Sequence, residues 1–158
     1  ALEPHPATFP KLCANLEANG LTGRVTPMNR AVGASDGQLA FTISEHSSMG
    51  FATTDGVDIA LGKRTEITVP VVSLDSLVAS RTDAPEWFAL KIDVEGHELR
   101  VLEGASRALR RASHVVMEAH SGQLREACAR VLREQGFVVR SDKGLLCADN
   151  PAAGLARA

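Results

Sequence analysis

The sequence predicts an α/β layer fold, because segments with the spacing of strands and of helices alternate along the chain. Apolar residues recur at helical spacing near Leu12 and again near Val131. Continuous apolar runs, which are typical of buried strands, lead up to Ile92 and Met117. The length of 158 residues fits a single domain that is large enough to bury a core.

The first third of the chain predicts one strand–helix unit followed by a second strand. Residues 1–3 are expected to end a strand, and Pro4 and Pro6 then break the backbone. A helix with one apolar face follows and ends at Asn19-Gly20. The next strand is expected over residues 24–29.

A hairpin and a long loop are predicted next. Asp36-Gly37 is a turn signal that leads into alternating apolar residues. Residues 44–66 are small, polar and without a period, which predicts a long surface loop. Pro70 interrupts the alternating strand at residues 67–71, so that strand is expected at a sheet edge. A short helix is predicted to begin at Leu74.

The second half of the chain predicts two more strand–helix units and a closing antiparallel hairpin. The first of these strands is expected to be covered on both faces, since it is apolar throughout. The Ala-rich end of the chain is predicted to be frayed. The elements are a strand at 87–92, a helix at 98–111 that bends near Gly104, a strand at 114–118, a helix ended by Gly136, hairpin strands at 137–140 and 145–148, and a tail at 150–158.

Composition and charge exclude several classes of partner. A formal net charge of -2 with dispersed Lys and Arg provides no basic stripe for nucleic acid. No apolar run approaches the roughly 18 residues that span a bilayer, and we expect no membrane span. Cys13, Cys128 and Cys147 form no Cys-x-x-Cys pair, which argues against a disulfide framework or a zinc site. A reducing cytoplasm is the expected location.

The most informative segment is residues 89–99, where a strand runs directly into acids, a glycine and a histidine. Ligands of open α/β sheets bind beyond the carboxyl ends of strands, so chemistry is expected at Asp93, Glu95 and His97. The alternative is structural. Asp93 would then cap the next helix, with Glu95 and Glu98 in its favourable first turn.

Five segments carry a resemblance to a known family. The segments are Leu2-Glu3-Pro4-His5-Pro6, Val71-Val72-Ser73-Leu74-Asp75-Ser76-Leu77, Lys91-Ile92-Asp93-Val94-Glu95-Gly96-His97-Glu98, Val101-Leu102-Glu103-Gly104-Ala105 and Val115-Val116-Met117-Glu118-Ala119-His120. Through them the chain resembles the FkbM-type family of S-adenosylmethionine-dependent methyltransferases over roughly residues 1–140, most specifically around Asp93.

The resemblance implies a Rossmann-like class I methyltransferase sheet that ends in an antiparallel hairpin. Its first strand and the glycine-rich turn after it are expected before Leu2, and no Gly-x-Gly-x-Gly follows an apolar strand in this sequence. Residues 1–149 are therefore expected to be a partial, N-terminally truncated methyltransferase domain, followed by the tail at 150–158. The strands ending at Glu3 and Asp93 are expected to have unpaired edges, and the piece alone is expected to fold poorly or to bind cofactor weakly.

The resemblance also implies roles for particular residues. Glu3 is expected to bind the ribose diol of S-adenosylmethionine, while Ser73 and Asp75 belong to the pattern without an assigned role. Asp75 is alternatively a helix cap. The other cofactor-binding candidates are Asn29, Arg30 and Ala31 beside the adenine, together with Asp93.

Two chemical interpretations of the Asp93 region remain open. In the first, Asp93, Glu95, His97 and His120 orient an acceptor hydroxyl or remove its proton. In the second, Asp93, Glu118 and His120 hold a divalent metal that polarises the hydroxyl.

The predicted function is S-adenosylmethionine-dependent O-methylation of a small-molecule hydroxyl acceptor, on a sugar, a glycolipid or a polyketide-like compound. The alternative is a non-catalytic Rossmann-like binding or assembly module of a larger biosynthetic protein. A nicotinamide-dependent oxidoreductase is disfavoured, because the chain has no Tyr to act with Lys as a proton donor.

Overall fold

The protein is described by a computed structural model that covers residues 1–44, 50–52, 64–142 and 144–155. Strands and helices alternate through most of this range, and a short 3₁₀ helix at Leu109–Arg111 precedes the sixth strand. In chain order the elements are α1 (Phe9–Ala18), β1 (Ala31–Val32), β2 (Gly37–Ser44), β3 (Gly50–Ala52), β4 (Arg64–Val72), α2 (Leu74–Ala79), β5 (Phe88–Ile92), α3 (Glu98–Glu103), β6 (Ala112–Glu118), α4 (Gly122–Glu134), β7 (Val138–Asp142), β8 (Leu145–Asp149) and α5 (Pro151–Leu155).

The strands form two four-stranded sheets. The first has the order β1-β4-β2-β3, and the second has the order β5-β6-β8-β7. In the second sheet β5 and β6 are parallel, while β8 runs antiparallel to both β6 and β7. The predicted closing hairpin is thus confirmed, and its last strand lies inside the sheet.

The two longest helices lie where the apolar spacing predicted them. Gly20 follows α1 with φ 65°, and Gly136 follows α4 with φ 89°, which is the left-handed conformation that glycine adopts easily. At the other end of α4, the Ser121 hydroxyl accepts a hydrogen bond from the Leu124 N–H at 3.0 Å. Among the described residues, no helix combines the length and apolarity that crossing a membrane requires.

The main core lies between the second sheet and helices α3 and α4. Val115 and Met117 of β6 are fully buried, as are Cys128 and Leu132 of α4. Apolar burial of this kind contributes about 25 cal/mol per Å². The central strand β6 therefore packs against the helix that follows it, as expected for a strand–helix unit.

Helix α3 ends where its backbone touches the turn after β1. A Cβ at Gly104 would lie 2.2 Å from the Gly33 carbonyl oxygen, so only glycine fits at the predicted bend. The Gly104 carbonyl accepts the Asp75 N–H at 2.9 Å. The Asp75 carboxylate in turn accepts hydrogen bonds from the backbone N–H groups of Arg107 and Ala108, at 2.8 and 2.7 Å. Asp75 thus caps the turn after α3, joining α2 to the second half of the chain.

Helix α2 itself is capped by Ser73. The Ser73 hydroxyl accepts the Ser76 N–H at 3.1 Å, and Ser73 has an extended backbone. Asp75 is thus not the cap of α2, and its capping contacts go instead to the turn that leads into the 3₁₀ helix.

The strand predicted over residues 24–29 is reduced to a single bridge. Leu2 pairs with Met28 in parallel, and the regular strand β1 begins only at Ala31. Pro27 has no N–H to donate, so it interrupts a ladder at this point.

The region predicted as a loop at residues 44–66 contains a strand. β3 pairs antiparallel with β2, and β4 already begins at Arg64. The rest of the predicted loop, at 45–49 and 53–63, lies outside the described residues.

The prediction that Pro70 marks an edge strand is wrong. β4 lies between β1 and β2. β1 pairs only with Val71 and Val72 of β4, so Pro70 precedes the stretch that has partners on both sides. A short neighbouring strand explains why proline is tolerated here.

Strand β5 is covered on one face only, contrary to the sequence prediction. Ala89 and Lys91 are exposed, while Phe88, Leu90 and Ile92 contribute to the core. β5 pairs only with β6 among the described residues. The predicted open edge at this strand is therefore present.

The first part of the tail, predicted to be frayed, is helical as α5. Asn150 explains the difference, because its Oδ1 accepts the Ala152 N–H and its Nδ2 donates to the Ala112 carbonyl. Ala153 is buried. These contacts anchor the segment next to β6, and the predicted domain boundary at residue 149 remains a prediction.

We expect Gly104→Ala to lower the free energy of unfolding by about 1–3 kcal/mol, because the added methyl group meets backbone atoms that cannot rotate away. Urea unfolding followed by circular dichroism measures the change. Gly122→Ala is the control, since its Cβ would meet nothing within 4 Å and alanine suits a helix. Equal unfolding midpoints for the two variants would contradict the proposed contact.

Candidate active site

A cluster of carboxylates and one histidine lies at the carboxyl ends of β5 and β6. Asp93 and Glu95 follow β5, and His120 follows β6. Since β5 and β6 are adjacent and parallel, the chain segments after them meet at one edge of the sheet. The His120 Nε2 lies 3.1 Å from the Glu95 Oε2 and 3.9 Å from the Asp93 Oδ1.

Glu98, which sequence reasoning did not include in the site, holds the other side of the His120 ring. Its Oε1 lies 2.7 Å from the His120 Nδ1 and accepts the Gly96 N–H at 3.1 Å. The Glu98 side chain is completely buried, and its Oε2 has no hydrogen-bond partner among the described residues. The sequence placed Glu98 in the first turn of a helix, where an exposed acid is common. Its burial follows from the packing of α3 against α4.

The turn between β5 and α3 has an unusual backbone that aims these groups. Glu95 has φ 50° and Gly96 has φ 100°. A left-handed conformation costs a residue with a side chain about 1 kcal/mol or more, whereas glycine adopts it freely. Gly96 therefore has a backbone conformation that residues with a side chain rarely adopt. The turn brings the Glu95 carboxylate to the His120 ring and the Gly96 N–H to Glu98.

Asp93 does not cap α3. The N-cap residue of α3 is His97, whose side chain makes no capping hydrogen bond. Asp93 instead forms ion pairs, with the Lys91 Nζ 3.3 Å from its Oδ2. The capping interpretation is therefore wrong for Asp93.

The electrostatic surroundings favour a charged His120. Partial burial of the ring opposes the charge, but the Glu98 hydrogen bond and the charges of Glu95, Glu98 and Asp93 outweigh it and raise the pKa of His120 above its usual 6.5. The side chain is 28% exposed, so solvent screens part of this effect. Both ring nitrogens face carboxylates, which suits an imidazolium in the resting state.

The sequence also predicted His97 and Glu118 as members of the site, and neither belongs to the group formed by the other three residues. The His97 Nε2 would be 3.4 Å from a Cβ at Gly33, so its ring lies against the turn after β1. Glu118 is exposed on β6, one position after the fully buried Met117. Because strand residues alternate in direction, Glu118 points away from the core that Met117 enters.

The predicted metal-ligand set of Asp93, Glu118 and His120 remains a prediction, and the structure brings a different set of three together. Glu95, and not Glu118, joins Asp93 and His120, and the three potential ligand atoms lie within 4.8 Å of one another. Oxygen and imidazole ligands at this spacing suit a divalent cation. A histidine ligand commonly donates its second ring N–H to a carboxylate, as His120 is placed to do toward Glu98.

Four of the five predicted cofactor-binding residues lie near the start of the chain, and the fifth, Asp93, lies in the cluster at the strand ends. The Glu3 Oε1 accepts the His5 N–H at 2.7 Å, and the Asn29 Nδ2 donates to the Glu3 carbonyl at 2.8 Å. Glu3 and Asn29 are thus in contact. Arg30 is exposed, and Ala31 is a buried residue that begins β1, whereas the sequence placed these residues at the end of a strand.

Comparisons with known proteins show the family of this chain. A family model of the methyltransferase FkbM domain matches residues 1–139. The hexuronic acid methyltransferase AglP from Haloferax volcanii is 34% identical over 124 residues, which make up 77% of this chain and 47% of AglP. The chain thus spans about half the length of that relative.

A solved structure shows the same fold. The crystal structure of methyltransferase FkbM from Methylobacillus flagellatus KT matches with a TM-score of 0.61 and 19% sequence identity, over 93% of this chain and 35% of the other. This likeness gives the chain a Rossmann-like methyltransferase fold, and its second sheet contains the parallel strand pair and the C-terminal antiparallel hairpin. The chain belongs to the FkbM methyltransferase family.

We expect Glu98→Gln to lower the pKa of His120, because it removes the buried negative charge while keeping the shape of the side chain. The shift is measured by NMR titration of the His120 ring protons in metal-free buffer. Glu103→Gln, which changes an acid at the exposed end of the same helix, should leave the His120 titration in place. The same His120 midpoint in both variants would contradict the assigned role of Glu98.

Proposed function

We propose that this chain carries the catalytic groups of an S-adenosylmethionine-dependent O-methyltransferase whose acceptor is a hydroxyl group of an acidic sugar. The observation that carries the proposal is the His120 ring between Glu98 and Glu95 at the strand ends of an FkbM-family chain. The hexuronic acid methyltransferase among its relatives supports a sugar acceptor. Because the chain spans about half of that relative, the activity of the whole protein is part of the proposal. A cytoplasmic location likewise remains a prediction.

The chemistry assigned to His120 is removal of the acceptor proton. S-adenosylmethionine, when bound, supplies a methyl group on a positively charged sulfur that an oxygen nucleophile can attack. After the resting imidazolium has lost its Nε2 proton to solvent, neutral His120 accepts the hydroxyl proton at Nε2, while Glu98 accepts the Nδ1–H and stabilises the imidazolium that forms again. Asp93 and Glu95 accept hydrogen bonds from the acceptor and hold the attacking oxygen in line.

Glu3 and Asn29 fit the predicted ribose end of the cofactor. One Glu3 oxygen is occupied by the His5 N–H, and the other has no hydrogen bond from a described residue, so it can accept one from a ribose hydroxyl. Asn29 keeps the Glu3 backbone in position through its two carbonyl contacts. Arg30 and Ala31 remain predicted neighbours of the adenine.

A second role for the same cluster is a divalent-cation site formed by Asp93, Glu95 and His120. The convergence of their ligand atoms within 4.8 Å supports it. A cation bound there would polarise the acceptor hydroxyl and lower its pKa. His120 would then be a ligand and not a base.

We expect His120→Gln to lower kcat for methyl transfer by about 10²–10⁴-fold, because the proton acceptor is lost. The full natural protein is assayed with labelled S-adenosylmethionine and a uronic acid acceptor. His114→Gln is the control, since His114 is exposed on the same strand β6. Equal kcat values for the two variants would rule out a catalytic role for His120.

The pH dependence of that assay has a defined sign. The base must be neutral, so kcat/KM should rise with pH through an apparent pKa above 6.5, since the pKa of His120 is raised. Glu98→Gln should move this midpoint down. Loss of activity after dialysis against EDTA, with recovery on adding Mg²⁺ or Mn²⁺, would instead assign the cluster to a cation.

We expect Glu3→Gln to weaken the binding of S-adenosylmethionine by about tenfold, because a charged hydrogen bond to the ribose becomes a neutral one. Isothermal titration calorimetry of the full natural protein measures this. Glu17→Gln on the exposed surface of α1 serves as control. If a folded wild-type protein releases no heat, the non-catalytic module becomes the better interpretation.

A further inference from the structure

A cavity of about 390 Å³ opens beside His120. It lies between the end of β6, the start of α4 and the turn that precedes β8. Among the described residues, the charged groups on its wall are Glu118, His120 and Arg125. Because His120 belongs to both the cavity and the carboxylate cluster, a ligand in the cavity lies next to the proposed base.

One nitrogen of the Arg125 guanidinium has no hydrogen-bond partner among the described residues. This nitrogen, the Nε, is buried. Glu118, the acid on the same wall, forms no ion pair with it in the described part of the chain. An unsatisfied buried donor destabilises the folded protein, so a site that retains one is suited to a ligand that supplies the acceptor.

The chemistry of arginine narrows the class of ligand. The Nε and one Nη of a guanidinium form a planar pair of donors that matches the two oxygens of a carboxylate. The cavity also adjoins the N-terminus of the 13-residue helix α4, whose dipole favours negative charge. Exposed Glu118 can accept hydrogen bonds from hydroxyl groups, and Leu145 offers an apolar wall to the C–H face of a sugar ring.

We propose that Arg125 binds the carboxylate of a uronic acid acceptor and thereby determines the preference for an acidic sugar over a neutral one. This inference rests on the proposed function, because it assigns the acceptor of the same site. Arg125 holds the acid group at one side of the cavity, and His120 faces the sugar hydroxyl at the other. Arg125 is thus a specificity residue, whereas His120 acts on the reacting oxygen.

The test compares methyl β-D-glucuronide with methyl β-D-glucoside, which differ only in the acid group. The full natural protein is assayed for methyl transfer with both acceptors, as wild type, Arg125→Gln, Arg125→Lys and Arg130→Gln. Arg130 is the control because it is exposed on the same helix. We expect the wild type to prefer the glucuronide, and Arg125→Gln to reduce the ratio of kcat/KM values by about tenfold or more.

Arg125→Lys should fall between wild type and Arg125→Gln, since lysine keeps the charge but loses the paired donors. Arg130→Gln should keep the wild-type ratio. A ratio unchanged in Arg125→Gln, or changed equally in Arg130→Gln, would overturn the proposal. Thermal unfolding of each variant shows whether the loss comes from the fold.

A binding measurement separates this inference from the proposed reaction. Saturation-transfer NMR with methyl β-D-glucuronide needs no turnover. Binding that Arg125→Gln abolishes, in a protein that transfers no methyl group, would support the carboxylate site and contradict the methyltransferase proposal. Methyl transfer to the glucoside and the glucuronide at equal rates would contradict the carboxylate site and support the methyltransferase proposal.

Discussion

The contact between Glu98 and His120 is the interaction on which the candidate site depends. A carboxylate with no solvent exposure is strongly destabilising unless it is paired, and removing one member of a buried pair typically costs about 3–5 kcal/mol. The pair ties the first turn of α3 to the segment after β6. It also presents the His120 Nε2 to Asp93 and Glu95, so the fold and the chemistry rely on the same hydrogen bond.

The influence of Glu98 extends into the core. Burial, together with the charge of Glu98, raises the pKa of the Cys128 thiol to about 12. Cys128 is therefore an uncharged core residue of α4, in agreement with its fully buried position. The hydrogen bond to Glu98 and the charges around the ring favour the protonated form of His120.

The two halves of the chain meet through backbone contacts near β1. The Gly33 carbonyl lies against Gly104, and a Cβ at Gly33 would lie 3.4 Å from the His97 ring, while Asp75 connects α2 to the turn after α3. These contacts position the β5–α3 turn, and with it the strained Glu95 backbone, relative to the first sheet. The site at the strand ends thus depends on packing between segments that lie about 70 residues apart in sequence.

The sequence by itself determined the element types and the location of the chemistry. Helical spacing identified α1 and α4, apolar runs identified β5 and β6, and the Asp93 region identified the strand ends, because these signals are local properties of neighbouring residues. It also indicated a break or bend near Gly104, where α3 ends.

Tertiary structure alone decided which of the predicted residues act together. Strand alternation directs Glu118 away from the core, and the chain after β6 places His120 beside Glu95. The His97 ring lies beside the turn after β1. The burial of Glu98 and the unsatisfied Arg125 likewise depend on how α3 and α4 pack. Local spacing cannot report these features, since each results from contacts between segments that are distant in the chain.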